Sequence, residues 1–155
     1  LSTEQKGALG ELFGAGTSKQ MIPDGQKLAR MPGVGEAGID DLYKVSRPDV
    51  DYVVVEYKFV GDPKKAGSSA LGNTGDGRQG SAGWITGSER LEKAVGREIA
   101  PDVDAAVRRG RTETWVVTTR PDGSTEIQVL DVLGKPKPID SSTVLPKTNL
   151  SGARP

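Results

Sequence analysis

The segment Tyr52–Phe59, with the sequence Tyr-Val-Val-Val-Glu-Tyr-Lys-Phe, constrains the fold of this chain more than any other. Its β-branched and aromatic residues favour a strand, and apolar side chains occupy both odd and even positions. Because successive side chains of a strand point to opposite faces, such a strand is expected at the centre of a sheet. Glu56 and Lys58 then share one face with Val54.

The order of the predicted elements is typical of an α/β (α+β) fold with one core, in which a mixed central sheet is flanked by helices. A capping residue at Ser2 or Thr3 begins a helix that we expect to end at Phe13, with Leu9, Leu12 and Phe13 as its apolar positions. The other predicted elements are strands near 27–30, 38–45, 52–59, 112–119 and 125–133, short helices after the capping patterns at 76–79 and 86–89, and a helix from Pro101 to Gly110. We expect residues 1–133 to form a single domain. Residues 134–155, which contain the last four prolines of the chain, are expected to form an extended tail.

Composition excludes several kinds of chemistry. The 155 residues include no cysteine and no histidine, so disulfides, Cys/His zinc sites and His-dependent nucleophile systems are impossible. Any reaction has to use carboxylates, Lys, Tyr, Ser/Thr or a metal held by oxygen atoms, for which Mg²⁺ or Mn²⁺ is the natural choice and Zn²⁺ a third candidate. No apolar stretch is long enough to span a membrane.

The charge balance gives a mixed indication about nucleic acid as a partner. Basic and acidic residues number 21 each, which counts mildly against a constitutive nucleic-acid binder. The stretch from Lys58 to Arg97 is nevertheless net positive by three. A nuclease can combine a neutral total charge with a local basic rim.

Asp40 and Glu56 are predicted to lie opposite each other. A hairpin turn centred near Pro48 pairs position 40 with position 56, and directly opposed residues have Cβ atoms about 5 Å apart on the same face. The two carboxylates could then share a divalent cation, with Lys58 beside them to orient water or offset charge on a phosphate. Asp41 points away in this register, and a one-residue slip would exchange Asp40 and Asp41. A solvated ion pair among Asp40, Glu56 and Lys58 would explain the same pattern.

These residues resemble the PD-(D/E)xK nuclease superfamily, whose sites use an Asp on one strand and Glu-x-Lys on the next. A closer resemblance, over roughly residues 36–96, is to C-terminal toxin domains of bacterial polymorphic toxins of the contact-dependent inhibition and type VI secretion kinds. The segments that carry it are Gly38–Asp40, Tyr52–Lys58, Thr74–Gln79, Trp84–Ile85 and Arg90–Gly96. The resemblance implies a restriction-endonuclease-like core in the order αβββαβ. A departure from the toxins is Gly80, where a larger apolar residue usually follows the glutamine.

The resemblance also implies roles for individual residues. Asp40 and Glu56 would be metal ligands, Lys58 the catalytic lysine, and Gln79 and Glu11 further site residues. A helix cap is the alternative role for Gln79, and a solvated helix position is the alternative for Glu11. The basic residues Lys64, Lys65 and Arg78 are candidates for phosphate contacts, with a solvated surface as the alternative for each.

The function implied by this resemblance is metal-dependent hydrolysis of DNA by a secreted antibacterial toxin domain. Because the sequence begins with Leu1, we expect a piece of a longer parent toxin chain that is delivered into the cytoplasm of a target bacterium. A cognate immunity protein is the expected partner. Two alternatives stay open: a ribonuclease toxin that cuts tRNA with the same site, and a non-enzymatic interaction module in which Asp40, Glu56 and Lys58 form a structural ion pair.

Overall fold

A mixed β-sheet with helices on both faces forms the core of the chain. The computed structural model describes residues 2–22, 25–28 and 38–138. Its elements are α1 (Thr3–Met21), β1 (Gln26–Lys27), β2 (Asp41–Lys44), β3 (Tyr52–Phe59), a 3₁₀ turn (Gly67–Ala70), β4 (Asn73–Thr74), β5 (Gly77–Arg78), α2 (Ala82–Thr86), α3 (Arg90–Val95), α4 (Ala100–Arg108), β6 (Thr112–Thr119), β7 (Thr125–Leu130) and β8 (Pro136–Lys137). None of the described helices combines the length and the apolar character needed to cross a bilayer.

The six-stranded sheet has the spatial order β1-β2-β3-β6-β7-β8. Strands β3 and β6 are parallel, and every other neighbouring pair is antiparallel. The connection between the two parallel strands runs through α2, α3 and α4, as parallel pairing requires. The predicted mixed sheet with flanking helices is therefore confirmed.

Strand β3 lies at the centre of this sheet, as its apolar pattern predicts. Residues 52–57 are all buried. Leu42 and Val54 contribute to the core that packs against α2, α3 and α4 on one face. Val53 and Val55 contribute to the core on the other face, which α1 covers. Two separate cores therefore fix β3, and with it the orientation of every side chain along it.

Helix α1 contacts the sheet through small residues, whereas Leu12 and Phe13 point to solvent. The predicted end at Phe13 is wrong, because the helix continues to Met21. The predicted apolar positions are also wrong in part, since Leu12 is 68% exposed and Phe13 42% exposed. The reason is close packing: a Cβ atom on Gly14 would lie 2.4 Å from Cδ1 of Tyr57, so the helix backbone rests directly on that ring.

Gly14→Ala is expected to lower the free energy of unfolding by about 1–3 kcal/mol, because the added methyl group overpacks the contact with Tyr57. Gly16→Ala is the matched control, since no atom lies within 4 Å of a Cβ at that position of the same helix. The control should be stabilised by about 0.5–1 kcal/mol, the usual gain from replacing a helical glycine. Urea unfolding of both variants measures the difference. Equal stabilisation of the two variants would contradict this packing of α1.

The predictions for the second half of the chain are confirmed for the larger elements. Strand β6 has the predicted bounds, and α4 begins around Pro101 and ends before Gly110. Strand β7 begins at Thr125 as predicted but ends at Leu130. Residues 136–137, in the predicted tail, pair with β7 as β8, and residues 139–155 lie outside the described part.

The two predicted short helices between β3 and β6 are present as α2 and α3, but neither predicted capping pattern begins them. Asp76 lies in the turn of the β4–β5 hairpin, and α2 begins only at Ala82, after Ser81, whose Oγ accepts a hydrogen bond from the backbone N–H of Trp84. Glu89 precedes α3 in a left-handed conformation and makes no side-chain cap. Short polar sequences can form a hairpin turn or a helix cap with similar residues, and here the turn prevails.

Candidate active site

The register of β2 and β3 places Asp40 beside Glu56. Asp41 pairs with Val55, so the next position along each strand brings residue 40 opposite residue 56, as predicted. The backbone N–H of Asp40 donates a hydrogen bond to Oε2 of Glu56 at 3.1 Å. In turn, the backbone N–H of Tyr57 donates to Oδ2 of Asp40 at 2.9 Å. Each carboxylate therefore accepts a hydrogen bond from a backbone N–H of the opposite segment, directly before β2 begins.

Gln79 joins Glu56 to Lys58. Its Nε2 donates to Oε1 of Glu56 at 2.7 Å, and its Oε1 accepts from Nζ of Lys58 at 3.4 Å. Gln79 lies between β5 and α2, so its side chain spans the two site residues of β3 and does not cap a helix. The backbone N–H of Gln79 donates to the carbonyl oxygen of Gly72 at 2.8 Å, which fixes this segment beside the sheet.

Burial makes the carboxyl group of Glu56 a weaker acid than usual. The side chain is 0% exposed, and this burial raises the pKa of its carboxyl group well above the ordinary value. The negative charge of Asp40 raises the pKa further, while the hydrogen bonds from Asp40 and Gln79 and the positive charge of Lys58 lower it. Because the charge of Asp40 acts on Glu56, the two carboxylates repel each other unless one is protonated or a cation lies between them.

The donor set at this position fits a hard divalent cation. Asp40 and Glu56 offer carboxylate oxygens, and residues 2–22, 25–28 and 38–138 contain no group of three or more Asp, Glu, His or Cys residues arranged to hold a metal ion by themselves. Mg²⁺ is usually bound by one or two carboxylates and completes its coordination with water and substrate phosphates. Mn²⁺ prefers the same oxygen ligands. A structural zinc site, which needs four protein ligands, does not fit.

Glu11 lies in α1, but its side chain is outside the described part of the chain. The preceding residue, Gly10, packs against β3, because a Cβ there would lie 3.4 Å from the backbone nitrogen of Phe59. The predicted role of Glu11 stays a prediction.

Lys64 and Lys65 lie on the loop that follows β3, and both are exposed. Arg120 fixes this loop by two hydrogen bonds, since its Nη1 donates to the carbonyl oxygens of Asp62 at 3.1 Å and Lys65 at 2.7 Å. Sequence reasoning missed Arg120, which carries no motif of its own. The predicted contact of the two lysines with nucleic acid stays a prediction.

Arg78 has its guanidinium group engaged inside the protein. Its Nε donates to the carbonyl oxygen of Gly134 at 2.9 Å, and its Nη2 donates to that of Ser68 at 2.6 Å. Arg78 therefore ties the loop after β3 to the turn before β8. The predicted phosphate contact would have to form in addition to these two hydrogen bonds.

Asp41 lies on the opposite face of the sheet from Asp40, as its parity along the strand predicts. It is completely buried and accepts a hydrogen bond from the hydroxyl group of Tyr57 at 2.6 Å. Sequence reasoning missed this partner. The available signal was parity, since Asp41 and Tyr57 belong to the same face once Asp40 is paired with Glu56.

Comparison with known proteins returned no matching family model, no matching curated protein and no matching solved structure.

Proposed function

We propose that this chain is a metal-dependent nuclease domain of the PD-(D/E)xK class that hydrolyses phosphodiester bonds of DNA. The observation that carries the proposal is the convergence of four side chains from three separate segments. Asp40 precedes β2, Glu56 and Lys58 lie on β3, and Gln79 links the last two by hydrogen bonds. Their types match the residues that the resemblance assigns to such a site.

The order of elements supports the same class. Helix α1 is followed by three antiparallel strands, then by α2, α3 and α4, and then by β6, which pairs in parallel with β3. This order is compatible with a restriction-endonuclease-like core of the type αβββαβ. The Asp and the Glu-x-Lys lie on the second and third of those strands or directly beside them, as the class requires.

Each residue has a distinct task in the proposed reaction. Asp40 and Glu56 would hold Mg²⁺ or Mn²⁺, which when bound supplies Lewis-acid polarisation of the scissile phosphate. Lys58 supplies a positive charge that offsets the charge developing on the phosphate oxygens and orients the attacking water. Gln79 keeps the Lys58 ammonium group and the Glu56 carboxylate at a fixed separation.

The biological setting of the proposal follows from the resemblance to polymorphic toxin domains. We propose a secreted antibacterial toxin that acts in the cytoplasm of the target cell and is neutralised by a cognate immunity protein. The toxin setting is separable from the chemistry, because the four site residues alone support the nuclease reaction.

Incubation of the purified chain with supercoiled plasmid and total tRNA, in Mg²⁺ or in EDTA, tests the chemistry. We expect loss of plasmid in Mg²⁺ and none in EDTA. Glu56→Gln should abolish the loss, because it removes a charged ligand. Glu113→Gln is the matched control, since Glu113 is a buried glutamate on β6 that accepts a hydrogen bond from Trp115 and lies outside the site.

The other outcomes separate the alternatives. Loss of tRNA alone, with the same dependence on metal and on Glu56, would assign the site to a ribonuclease. If neither substrate changes in any metal, the enzyme proposal is wrong, and the interaction module with a structural ion pair becomes the better description.

A further inference from the structure

A second polar network lies directly behind the candidate site, on the sheet face that α1 covers. Its centre is the carboxylate of Asp41, which is 0% exposed. Oδ2 of Asp41 accepts from the hydroxyl group of Tyr57 at 2.6 Å and lies 3.3 Å from Nζ of Lys27. Oδ1 accepts from the backbone N–H of Leu42 at 2.9 Å.

Such a buried charge needs a specific reason to be present. Taking a carboxylate out of water costs several kcal/mol, and a buried pair often contributes no more stability than apolar residues of the same volume. Asp41 pairs with Val55, which belongs to the apolar core that Tyr43 and Val53 also form on this face. The network therefore fixes geometry more clearly than it adds stability.

Tyr57 connects this network to the candidate site through the sheet. Its side chain donates to Asp41 on one face, and its backbone N–H donates to Oδ2 of Asp40 at 2.9 Å. Asp41 and Tyr57 are also the direct chain neighbours of Asp40 and Glu56. A shift of either residue along its strand would therefore change the separation of the two site carboxylates.

The surroundings of Tyr57 restrict it further. The backbone of α1 at Gly14 packs directly against its ring, since a Cβ at that position would lie 2.4 Å from Cδ1 of Tyr57. On the neighbouring strand, burial and the charge of Asp41 raise the pKa of Tyr43 to about 12, so this hydroxyl group also keeps its proton near Asp41. The position of Tyr57 is therefore restricted twice: the backbone of α1 contacts its ring, and Asp41 accepts the hydrogen bond from its hydroxyl group.

We propose that Asp41 and Tyr57 form a positioning pair that sets the separation of Asp40 and Glu56 and thereby the affinity of the site for its divalent cation. This inference rests on the proposed function for the identity of the ligand. Neither residue touches the cation or the substrate. The pair acts through the backbone of the two strands, in the way that residues hydrogen-bonded to metal ligands commonly tune a metal site.

Tyr57→Phe is the sharpest test, because it deletes one hydroxyl group and leaves the ring in place. Two quantities are measured with the full chain: the affinity for Mn²⁺ without substrate, by calorimetric titration, and the Mn²⁺ concentration that gives half-maximal plasmid cleavage. We expect Mn²⁺ affinity to fall about 10-fold, the lower end of the effect of losing a group bonded directly to a metal ligand, because the Tyr57 hydroxyl group acts on the ligands only through the backbone. The turnover number at saturating Mn²⁺ should change less than the half-saturating concentration.

Tyr52→Phe is the matched control, because Tyr52 is a buried tyrosine at the start of the same strand, where it packs in the core on the opposite face. It should match the wild type in both measurements. If Tyr57→Phe also binds Mn²⁺ like the wild type, the positioning role is wrong. Thermal unfolding of both variants shows whether each is folded at the assay temperature.

Measuring Mn²⁺ binding apart from cleavage separates failure of the positioning pair from failure of the proposed nuclease function. If the wild type binds Mn²⁺ but cleaves neither plasmid nor tRNA, the nuclease proposal fails and the titration still tests the pair. If the wild type binds no Mn²⁺, both fail. Should Tyr57→Phe not fold, Asp41→Asn carries the same expectation, because it removes the charge from the network and keeps one oxygen acceptor. Unchanged Mn²⁺ affinity in a folded Asp41→Asn variant would overturn the pair.

Discussion

Replacement of Lys58 by methionine is expected to lower the turnover number for plasmid cleavage by about 10²–10³-fold, the usual cost of removing one donor that stabilises transition-state charge. Methionine keeps most of the length of the side chain and removes only the ammonium group. Because Lys58 contacts the carboxylate pair through Gln79, the two carboxylates keep their hydrogen bonds to the strands in this variant. Mn²⁺ affinity should therefore be retained while cleavage is lost.

Single-turnover cleavage, with plasmid binding measured separately in EDTA, distinguishes this result from weaker substrate binding. Lys44→Met is the matched control, since Lys44 is an exposed lysine of β2 that pairs with Tyr52, at the other end of that strand from Asp40. The control should cleave at the wild-type rate. Cleavage by Lys58→Met at the wild-type rate would remove the lysine from the proposed mechanism and favour a structural ion pair.

The sequence was sufficient to predict the centre of the sheet and the pair of strands that carries the candidate site. The apolar pattern of 52–59 requires burial on both faces, and only a central strand satisfies it. The register of β2 and β3 followed from the position of the turn near Pro48, and it places Asp40 opposite Glu56 as predicted. Both predictions depend on local periodicity, which a single sequence displays directly.

The sequence was not sufficient to predict contacts between segments far apart along the chain. Gln79 was a site candidate through the resemblance alone: it reaches Glu56 and Lys58 from a loop after a short hairpin, and no periodicity relates these positions. The packing of α1 could not be read from hydrophobicity, because Gly10 and Gly14 lie directly against β3 while Leu12 and Phe13 are exposed. Such contacts depend on the approach of whole elements, and only the folded arrangement defines them.

Without a divalent cation, the free energy of unfolding is expected to fall as pH rises above the ordinary range of a glutamate. The folded-state pKa of Glu56 is raised by burial and by the charge of Asp40. Between the ordinary pKa and the raised one, the folded state holds a proton that the unfolded state has lost, so raising the pH favours unfolding. Each unit of pKa difference corresponds to about 1.4 kcal/mol.

Mg²⁺ should reverse this loss at neutral pH. A cation between Asp40 and Glu56 removes their repulsion, and a ligand present at about 100 times its dissociation constant adds about 2.7 kcal/mol to the stability. For a chain of this size, 1 kcal/mol shifts Tm by about 2–4 °C. We therefore expect Mg²⁺ to raise Tm by roughly 5–10 °C at neutral pH, and by less at a pH where Glu56 is protonated.

Thermal unfolding from pH 5 to pH 8, with Mg²⁺ or EDTA, measures both effects. Partly or fully exposed carboxylates with lowered pKa values, such as Asp51, Asp76 and Asp122, give an opposite slope at low pH, so the informative quantity is the difference between wild type and Glu56→Gln. Glu56→Gln should lose both the pH slope of Glu56 and the response to Mg²⁺, whereas Glu113→Gln should keep both. Coincident pH slopes and equal Mg²⁺ responses in wild type and Glu56→Gln would mean that the Asp40–Glu56 pair binds no cation, and the nuclease proposal would lose its chemical basis.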